Sequence, residues 1–202
     1  MQEKGEEGVI LDIGANIGIA TAYFKNKYPL TRVVAIEASP INYRQLIKNI
    51  EANRFQDIIT LNKFVSNRNK QIRFNHQKLK PGGSFGEGYK LGNPSNFEQF
   101  YVDTIRISDI IKSLKNIVIK IDVEGAEYEI LEDLALSKYV SEVLEITVEV
   151  TTSTQAHYEK LNKVLNIYYN LGFEPRFVAG YGIMHLRDKL KQGHLHLVLF
   201  RS

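Results

Sequence analysis

The chain has 202 residues, of which 44% are hydrophobic and 24% are charged, and its formal net charge is +3. These values are ordinary for a globular protein, and so mild a charge does not predict a nucleic-acid-binding protein. Cysteine is absent, so we expect neither disulfides nor thiolate metal sites. No apolar run approaches the ~18 residues that span a bilayer, and no signal-peptide pattern opens the chain. We therefore expect a single cytoplasmic domain over residues 1–202.

The first predicted element is a buried strand that leads directly into a glycine turn. Residues 9–13 form a short apolar run, and Gly14 and Gly18 follow it at a spacing of four. Such a run indicates a buried parallel strand, and glycine after it permits a sharp turn and the close approach of a ligand. The pattern predicts a nucleotide- or nucleoside-binding strand–turn–helix. It differs from the dinucleotide fingerprint, because Ala15-Asn16 stands where the middle glycine would be.

Strand and helix patterns alternate along the rest of the chain, which predicts an α/β fold with a doubly wound, mostly parallel sheet. We expect further strands over residues 32–37, 58–65, 117–121 and 143–150, a helix that begins at Ser39-Pro40, and a C-terminal antiparallel hairpin from extended segments near 173–179 and 194–200. The glycine-rich segment 78–98 interrupts the pattern. A long loop of this kind is either functional, here as a lid over the site, or disordered.

Acidic residues close or follow four of the predicted strands, namely Asp12, Glu37, Asp122 and Glu149. Ligands of open α/β sheets bind at the carboxyl ends of the strands. Clustered carboxylates need a cation, and S-adenosyl-L-methionine (SAM) supplies a sulfonium and an amino group, whereas a dinucleotide would bring anionic phosphates. Glu37 lies 23 residues after Gly14, where an acid accepts the hydroxyls of a ribose. The sequence therefore predicts SAM as the cofactor in preference to NAD.

Three blocks of the sequence resemble the FkbM family of methyltransferases. They are Asp12–Gly18 (DIGANIG), Glu37–Pro40 (EASP) and Lys120–Glu127 (KIDVEGAE), and they occur in the order and at the spacing of the family. The resemblance covers about residues 9–150. It implies the class I methyltransferase (Rossmann-like) fold and SAM-dependent O-methylation of a hydroxyl on a small molecule, sugar or glycan.

The expected cofactor contacts follow these blocks and the less similar segment 62–66. They are Asp12, Gly14, Ala15, Asn16, Gly18, Glu37, Ala38, Ser66 and Asp122. A hydroxyl is a poor nucleophile, so a carboxylate beside it can act as a general base. Asp122 is the first candidate for that base, and Glu124, Glu127 and Glu149 are further candidates.

Other functions remain open at the level of the sequence. Several carboxylates could bind a divalent cation that acidifies the acceptor, although we predict no metal site. The rival functions are an RNA ribose methyltransferase, which the even distribution of charge disfavours, a dehydrogenase-like NAD-binding protein, and a non-catalytic SAM-binding module. We therefore expect a small-molecule or glycan acceptor as the partner, with no nucleic acid and no membrane span.

Overall fold

The computed structural model describes residues 8–77, 84–85, 96–178 and 194–201. Most of the predicted insertion over 78–98, including the proposed lid, lies outside these described residues. The described strands are β1 (Val9–Ile13), β2 (Arg32–Ile36), β3 (Ile58–Leu61), β4 (Phe64–Ser66), β5 (Gln71–Gln77), β6 (Ser84–Phe85), β7 (Phe97–Arg106), β8 (Ile117–Ile121), β9 (Val143–Thr151), β10 (Phe173–Val178) and β11 (His194–Arg201). The described α-helices are α1 (Ile19–Lys27), α2 (Pro40–Ala52), α3 (Ile107–Ile110), α4 (Glu127–Leu136) and α5 (Gln155–Asn170), and short 3₁₀ helices cover Ile111–Ser113 and Val140–Glu142.

The main sheet has seven strands in the order β10–β11–β9–β8–β1–β2–β3. Its five strands from β9 to β3 are parallel, and β11 runs antiparallel to both β9 and β10. The chain moves outward from β1 through β2 and β3 and then returns to β8 on the other side of β1. The strand order therefore reverses at β1, where open α/β sheets form their ligand crevice. This topology confirms the predicted fold class, including the terminal antiparallel hairpin.

Helices cover both faces of the main sheet, as expected for a doubly wound fold. On one face, Leu11 of β1 belongs to a large buried cluster that also contains Leu131 of α4 and Leu161 of α5. On the other face, Ala35 of β2 packs with Leu46 of α2. The core on both faces holds the carboxyl ends of β1, β2 and β8 in fixed register. None of the helices in the described ranges has the length and apolar character to cross a bilayer.

A second sheet contains β4, β7, β5 and β6 in that order. The prediction of one strand over 58–65 is therefore wrong, because β3 lies in the main sheet and β4 in the second. Asn62 stands at the break. Its side-chain amide donates to the carbonyl oxygens of Glu37 and Ala38 at 2.8 and 3.1 Å. These bonds fasten the chain to the end of β2, and β4 then pairs with β7. The apolar residues on either side of Asn62-Lys63 did not reveal this change of sheet.

Candidate active site

A cavity of about 350 Å³ opens at the carboxyl ends of β1, β2 and β8, with further walls from β4 and β5. Its size suits a small-molecule ligand. The walls comprise Ile13, Gly14, Asn16, Ile36, Glu37, Ala38, Asn42, Lys63, Phe64, Val65, Phe74, Asp122, Val123 and Glu124. Of the predicted site residues, the cavity thus gathers Gly14, Asn16, Glu37, Ala38, Asp122 and Glu124.

The turn after β1 requires glycine for two reasons. Gly14 has a φ of +76°, and a Cβ atom added there would lie 1.9 Å from the carbonyl oxygen of Asp122. The backbones of β1 and β8 approach each other at this point, where the amide of Asp122 donates to the carbonyl oxygen of Ile13 at 3.0 Å. Gly14 therefore permits both the left-handed turn and the contact between the two strand ends.

Gly18, Ala15 and Ser66 were expected at the cofactor, but none of them belongs to the walls of the cavity. Gly18 has a φ of +92° and packs against Leu46, which a Cβ atom would approach to 2.6 Å. Ala15 is buried in the same cluster as Leu46. The hydroxyl of Ser66 donates to Glu129 of α4 at 3.1 Å. These residues support the fold of the turn and the packing around the cavity.

Glu37 directly follows β2, is 6% exposed, and lines the cavity. Its Oε2 accepts the backbone N–H of Asn16 and its Oε1 accepts that of Ser39, both at 2.8 Å. Burial raises the pKa of Glu37 above its usual range, and these two hydrogen bonds oppose the rise. Each carboxylate oxygen retains acceptor capacity after one hydrogen bond. Glu37 is thus a fixed acceptor that suits a ligand with hydroxyl or amino donors.

A lysine side chain balances the negative charge of the acidic residues near β1. The sequence analysis did not predict this ion pairing. Lys120 lies beside Asp12 in the register of β8 and β1. Its ammonium is 3.0 Å from Oδ1 of Asp12 and 3.5 Å from Oδ2 of Asp122. Asp12 is fully buried, and its Oδ2 accepts a hydrogen bond from Thr21 at 2.6 Å. Lys120 therefore supplies within the protein a cation that the sequence argument assigned to the ligand alone.

The acids from β9 and from the start of α4 do not reach the cavity. Glu149 lies inside β9 opposite His196, because pairing with β11 extends the strand to Thr151. Glu149 thus stands two residues before the end of the strand, near the place that the predicted strand over 143–150 gave it. Glu127 is fully buried, and its Oε1 accepts the backbone N–H of Thr151 at 2.8 Å. Neither carboxylate is among the walls of the cavity.

Asp122 lies at the exposed rim of the cavity. Its side chain is 58% exposed, and it lines the cavity together with Glu124. The backbone of Asp122 is fixed against β1, so this carboxylate stands at a defined point of the rim. In the described ranges, His, Asp and Glu side chains form no group of three or more that could hold a metal ion.

Sequence reasoning missed several walls of the cavity, including Asn42, Phe64 and Phe74. Asn42 lies three residues after the N-cap Ser39, whose hydroxyl accepts its backbone N–H at 3.3 Å. That spacing could have placed Asn42 in the first turn of α2 beside Glu37. No local pattern in the sequence could have placed Phe74 at the cavity, because β5 reaches the cavity through its pairing with β7.

A polar atom of the turn is left without a partner. Oδ1 of Asn16 is buried and has no hydrogen-bond partner in the described part of the chain. A buried acceptor without a donor costs about 1–3 kcal/mol. Oδ1 of Asn16 and the carboxylate of Glu37 together favour a ligand that offers several hydrogen-bond donors, and the ribose hydroxyls and amino group of SAM fit this requirement.

Known proteins share parts of this sequence and its fold. Methyltransferase 1 from Beauveria bassiana is 26% identical over 148 residues, which are 64% of this chain and 59% of that protein. Methyltransferase sdnD from Sordaria araneosa is 29% identical over 152 residues, with 61% and 59% of the two chains covered. The chain therefore spans about three fifths of the length of these curated relatives.

Solved structures show the same fold at low sequence identity. Methyltransferase FkbM from Methylobacillus flagellatus superposes with a TM-score of 0.63 at 17% identity, and the match covers 96% of this chain and 44% of that one. TrmK from M. capricolum, solved in complex with S-adenosyl-homocysteine, has a TM-score of 0.50 at 13% identity, with 98% and 63% covered. The model of the FkbM methyltransferase domain matches residues 12–175, and the chain therefore belongs to the FkbM methyltransferase family.

Proposed function

We propose that this protein is a SAM-dependent O-methyltransferase that acts on a hydroxyl of a small molecule, sugar or glycan. The observation that carries the proposal is the buried carboxylate of Glu37, which two backbone N–H groups fix in the wall of the cavity. The TrmK structure with S-adenosyl-homocysteine (SAH) supports the choice of cofactor by likeness of fold. We also infer one domain, since a single sheet joins β1 to β11.

The hydrogen bonds of the turn favour SAM over NAD. The N–H groups of Gly14 and Ala15 both donate to the carbonyl oxygen of Ile36, at 2.9 and 3.0 Å, and that of Asn16 donates to Glu37. A dinucleotide pyrophosphate needs free N–H groups at the start of the helix. Those three groups are already committed within the protein, so the turn offers little to a pyrophosphate.

The acceptor side of the proposal rests on Asp122. SAM supplies an electrophilic methyl group on a sulfonium. The chain has to place the acceptor hydroxyl and remove its proton, and positioning contributes much of the rate in such a displacement. The exposed carboxylate of Asp122 at the rim takes the proton as general base, and Glu124 is the alternative in the same wall.

Calorimetry with Glu37→Gln tests the choice of cofactor. We expect the wild type to bind SAM and SAH and to ignore NAD. The variant should bind SAH about 10- to 100-fold more weakly, because a charge-assisted hydrogen bond to the ligand is lost. Glu51→Gln, on the exposed part of α2, is the matched control and should leave the affinity unchanged. Tight binding of NAD without binding of SAH would contradict the proposal.

Asp122→Asn tests the proposed chemistry. Methyl transfer from SAM is measured against a panel of saccharides, small hydroxylated molecules and RNA. We expect the variant to lose about 10²–10⁴ in rate with the best acceptor, because the general base is gone, while SAH affinity changes little. Near-normal turnover in Asp122→Asn would indicate that Glu124 is the general base, and Glu124→Gln should then lose the same factor in rate. Methylation of RNA alone would favour an RNA ribose methyltransferase. Binding of SAH with no turnover on any acceptor would favour a non-catalytic SAM-binding module.

A further inference from the structure

Asn42 brings a polar side chain to a buried position in the wall of the cavity. The residue is 6% exposed and lines the cavity. Its backbone N–H donates to the hydroxyl of Ser39 at 3.3 Å, but its side-chain amide has no hydrogen-bond partner among the residues that the structure describes. Unlike Oδ1 of Asn16, the amide atoms are not fully enclosed by protein. Buried amides are normally hydrogen-bonded, so this unused donor and acceptor point to a ligand.

The cavity also has an aromatic part close to the start of α2. Phe64 of β4 and Phe74 of β5 line it, and their rings meet edge to face with centres 6.0 Å apart. Both strands belong to the second sheet. The hydrogen bond between Ser39 and His76 joins this sheet to the N-cap of α2, three residues before Asn42. A planar heterocycle suits aromatic walls that have a polar amide nearby.

The amide of Asn42 has the chemistry that recognises adenine. The amino group of adenine is a donor, and the ring nitrogen beside it is an acceptor. A carboxamide offers an acceptor and a donor side by side, and asparagine makes such a paired contact with adenine. Other polar walls offer only half of this pattern, because the ammonium of Lys63 has donors alone and the carboxylate of Glu37 has acceptors alone.

We propose that Asn42 recognises the adenine of SAM, an inference that rests on the proposed function. Its carbonyl oxygen accepts a hydrogen bond from the 6-amino group, and its NH₂ group donates to the neighbouring ring nitrogen. Glu37 holds the ribose, and the base extends from the ribose towards Phe64 and Phe74. Asn42 thereby makes the site selective for a base that carries a 6-amino group.

A ligand that lacks the 6-amino group tests the assignment. The two ligands are SAH and its purine analogue, in which hydrogen replaces the amino group, and calorimetry gives their affinities. We expect the wild type to prefer SAH by about 10- to 100-fold, because the analogue leaves the carbonyl oxygen of Asn42 unpaired. Asn42→Leu has nearly the same volume without polar atoms, so it should bind the two ligands equally. Asn42→Asp keeps an acceptor and should retain the preference for SAH.

Gln45→Leu is the matched control, because it removes an exposed amide from the same helix, outside the walls of the cavity. It should leave the preference for SAH unchanged. Circular dichroism verifies that each variant is folded, and Asn42→Ala replaces Asn42→Leu if the latter does not fold. Equal affinities in the wild type, or a preference that persists without the amide, would show that Asn42 does not recognise the base. A wild type that binds neither ligand would instead contradict the proposed function.

Discussion

Three glycines with positive φ show how differently the same backbone conformation is used. Gly14, Gly18 and Gly172 have φ values of +76°, +92° and +81°. An added Cβ atom would meet backbone at Gly14, the tip of the Leu46 side chain at Gly18, and nothing within 4 Å at Gly172. The cost of a side chain should therefore depend on these surroundings and not on φ alone.

Alanine substitutions at the three glycines give a ranked prediction. Gly172→Ala should lower the free energy of unfolding by about 1–2 kcal/mol, the cost of a left-handed conformation. Gly18→Ala should cost more, because Leu46 must move. Gly14→Ala should cost at least about 3 kcal/mol or prevent folding, because overpacking against backbone adds to the conformational cost. Urea unfolding measures each value, and equal losses at Gly14 and Gly172 would contradict this assignment.

At the scale of secondary structure, Arg201 fastens the end of β11. Its guanidinium donates to the carbonyl oxygens of Val143, Leu171 and Val140, at 2.9, 3.2 and 2.7 Å. These groups belong to the start of β9, the end of α5 and a 3₁₀ helix. The guanidinium also lies 4.4 Å from the ring centre of Phe173 in β10. One side chain thus satisfies carbonyl groups of three elements that pack around the terminal hairpin.

The substitution Arg201→Met tests this role, with Arg176→Met as its control. Arg176 is exposed on β10 and lies 4.8 Å from the ring centre of Phe200, so it shares the ring contact of Arg201 at a more exposed position. We expect Arg201→Met to lower the free energy of unfolding by about 2–4 kcal/mol, because buried carbonyl groups lose charged donors. Arg176→Met should change it by less than about 1 kcal/mol. Similar losses in urea unfolding would show that the ring contact dominates.

At the scale of the whole molecule, a buried hydrogen bond joins the start of α2 to the second sheet beside the candidate site. Oγ of Ser39, the N-cap of α2, lies 3.0 Å from Nδ1 of His76 in β5. Ser39 and His76 are both buried. Burial lowers the pKa of His76, and the charge of Glu98 opposes this shift. The bond therefore links the segment that follows Glu37 to the second sheet.

The pH dependence of stability tests this link. Because the folded state lowers the pKa of His76, the unfolded chain binds a proton more readily as the pH falls through the usual histidine range near 6.5. The free energy of unfolding should therefore decrease between about pH 7 and pH 5. His76→Gln should lose this part of the decrease, whereas His196→Gln, at an exposed position of β11, should retain it. Thermal unfolding measured across this pH range checks the prediction. If the stability of His76→Gln falls with pH as steeply as that of the wild type, the link is contradicted.

The sequence by itself determined the elements that depend on local patterns. Short apolar runs predicted β1, β2, β8 and β9, and the glycines after β1 predicted the turn. The position of Glu37 followed as well, because an acid that directly follows a buried parallel strand must stand at the carboxyl edge of the sheet. The resemblance to the FkbM family, carried by three motifs, was confirmed by the match over residues 12–175.

Only the tertiary structure decided which side chains meet at the site. Lys120 lies beside Asp12 because β8 pairs with β1 in one register. Phe74 reaches the cavity through the second sheet, whose strands β5 and β7 are distant in the chain. Apolar periodicity indicates which face of a strand is buried, but strand register and sheet membership are set by contacts between distant segments. The charge balance and the aromatic walls of the cavity are therefore products of tertiary packing.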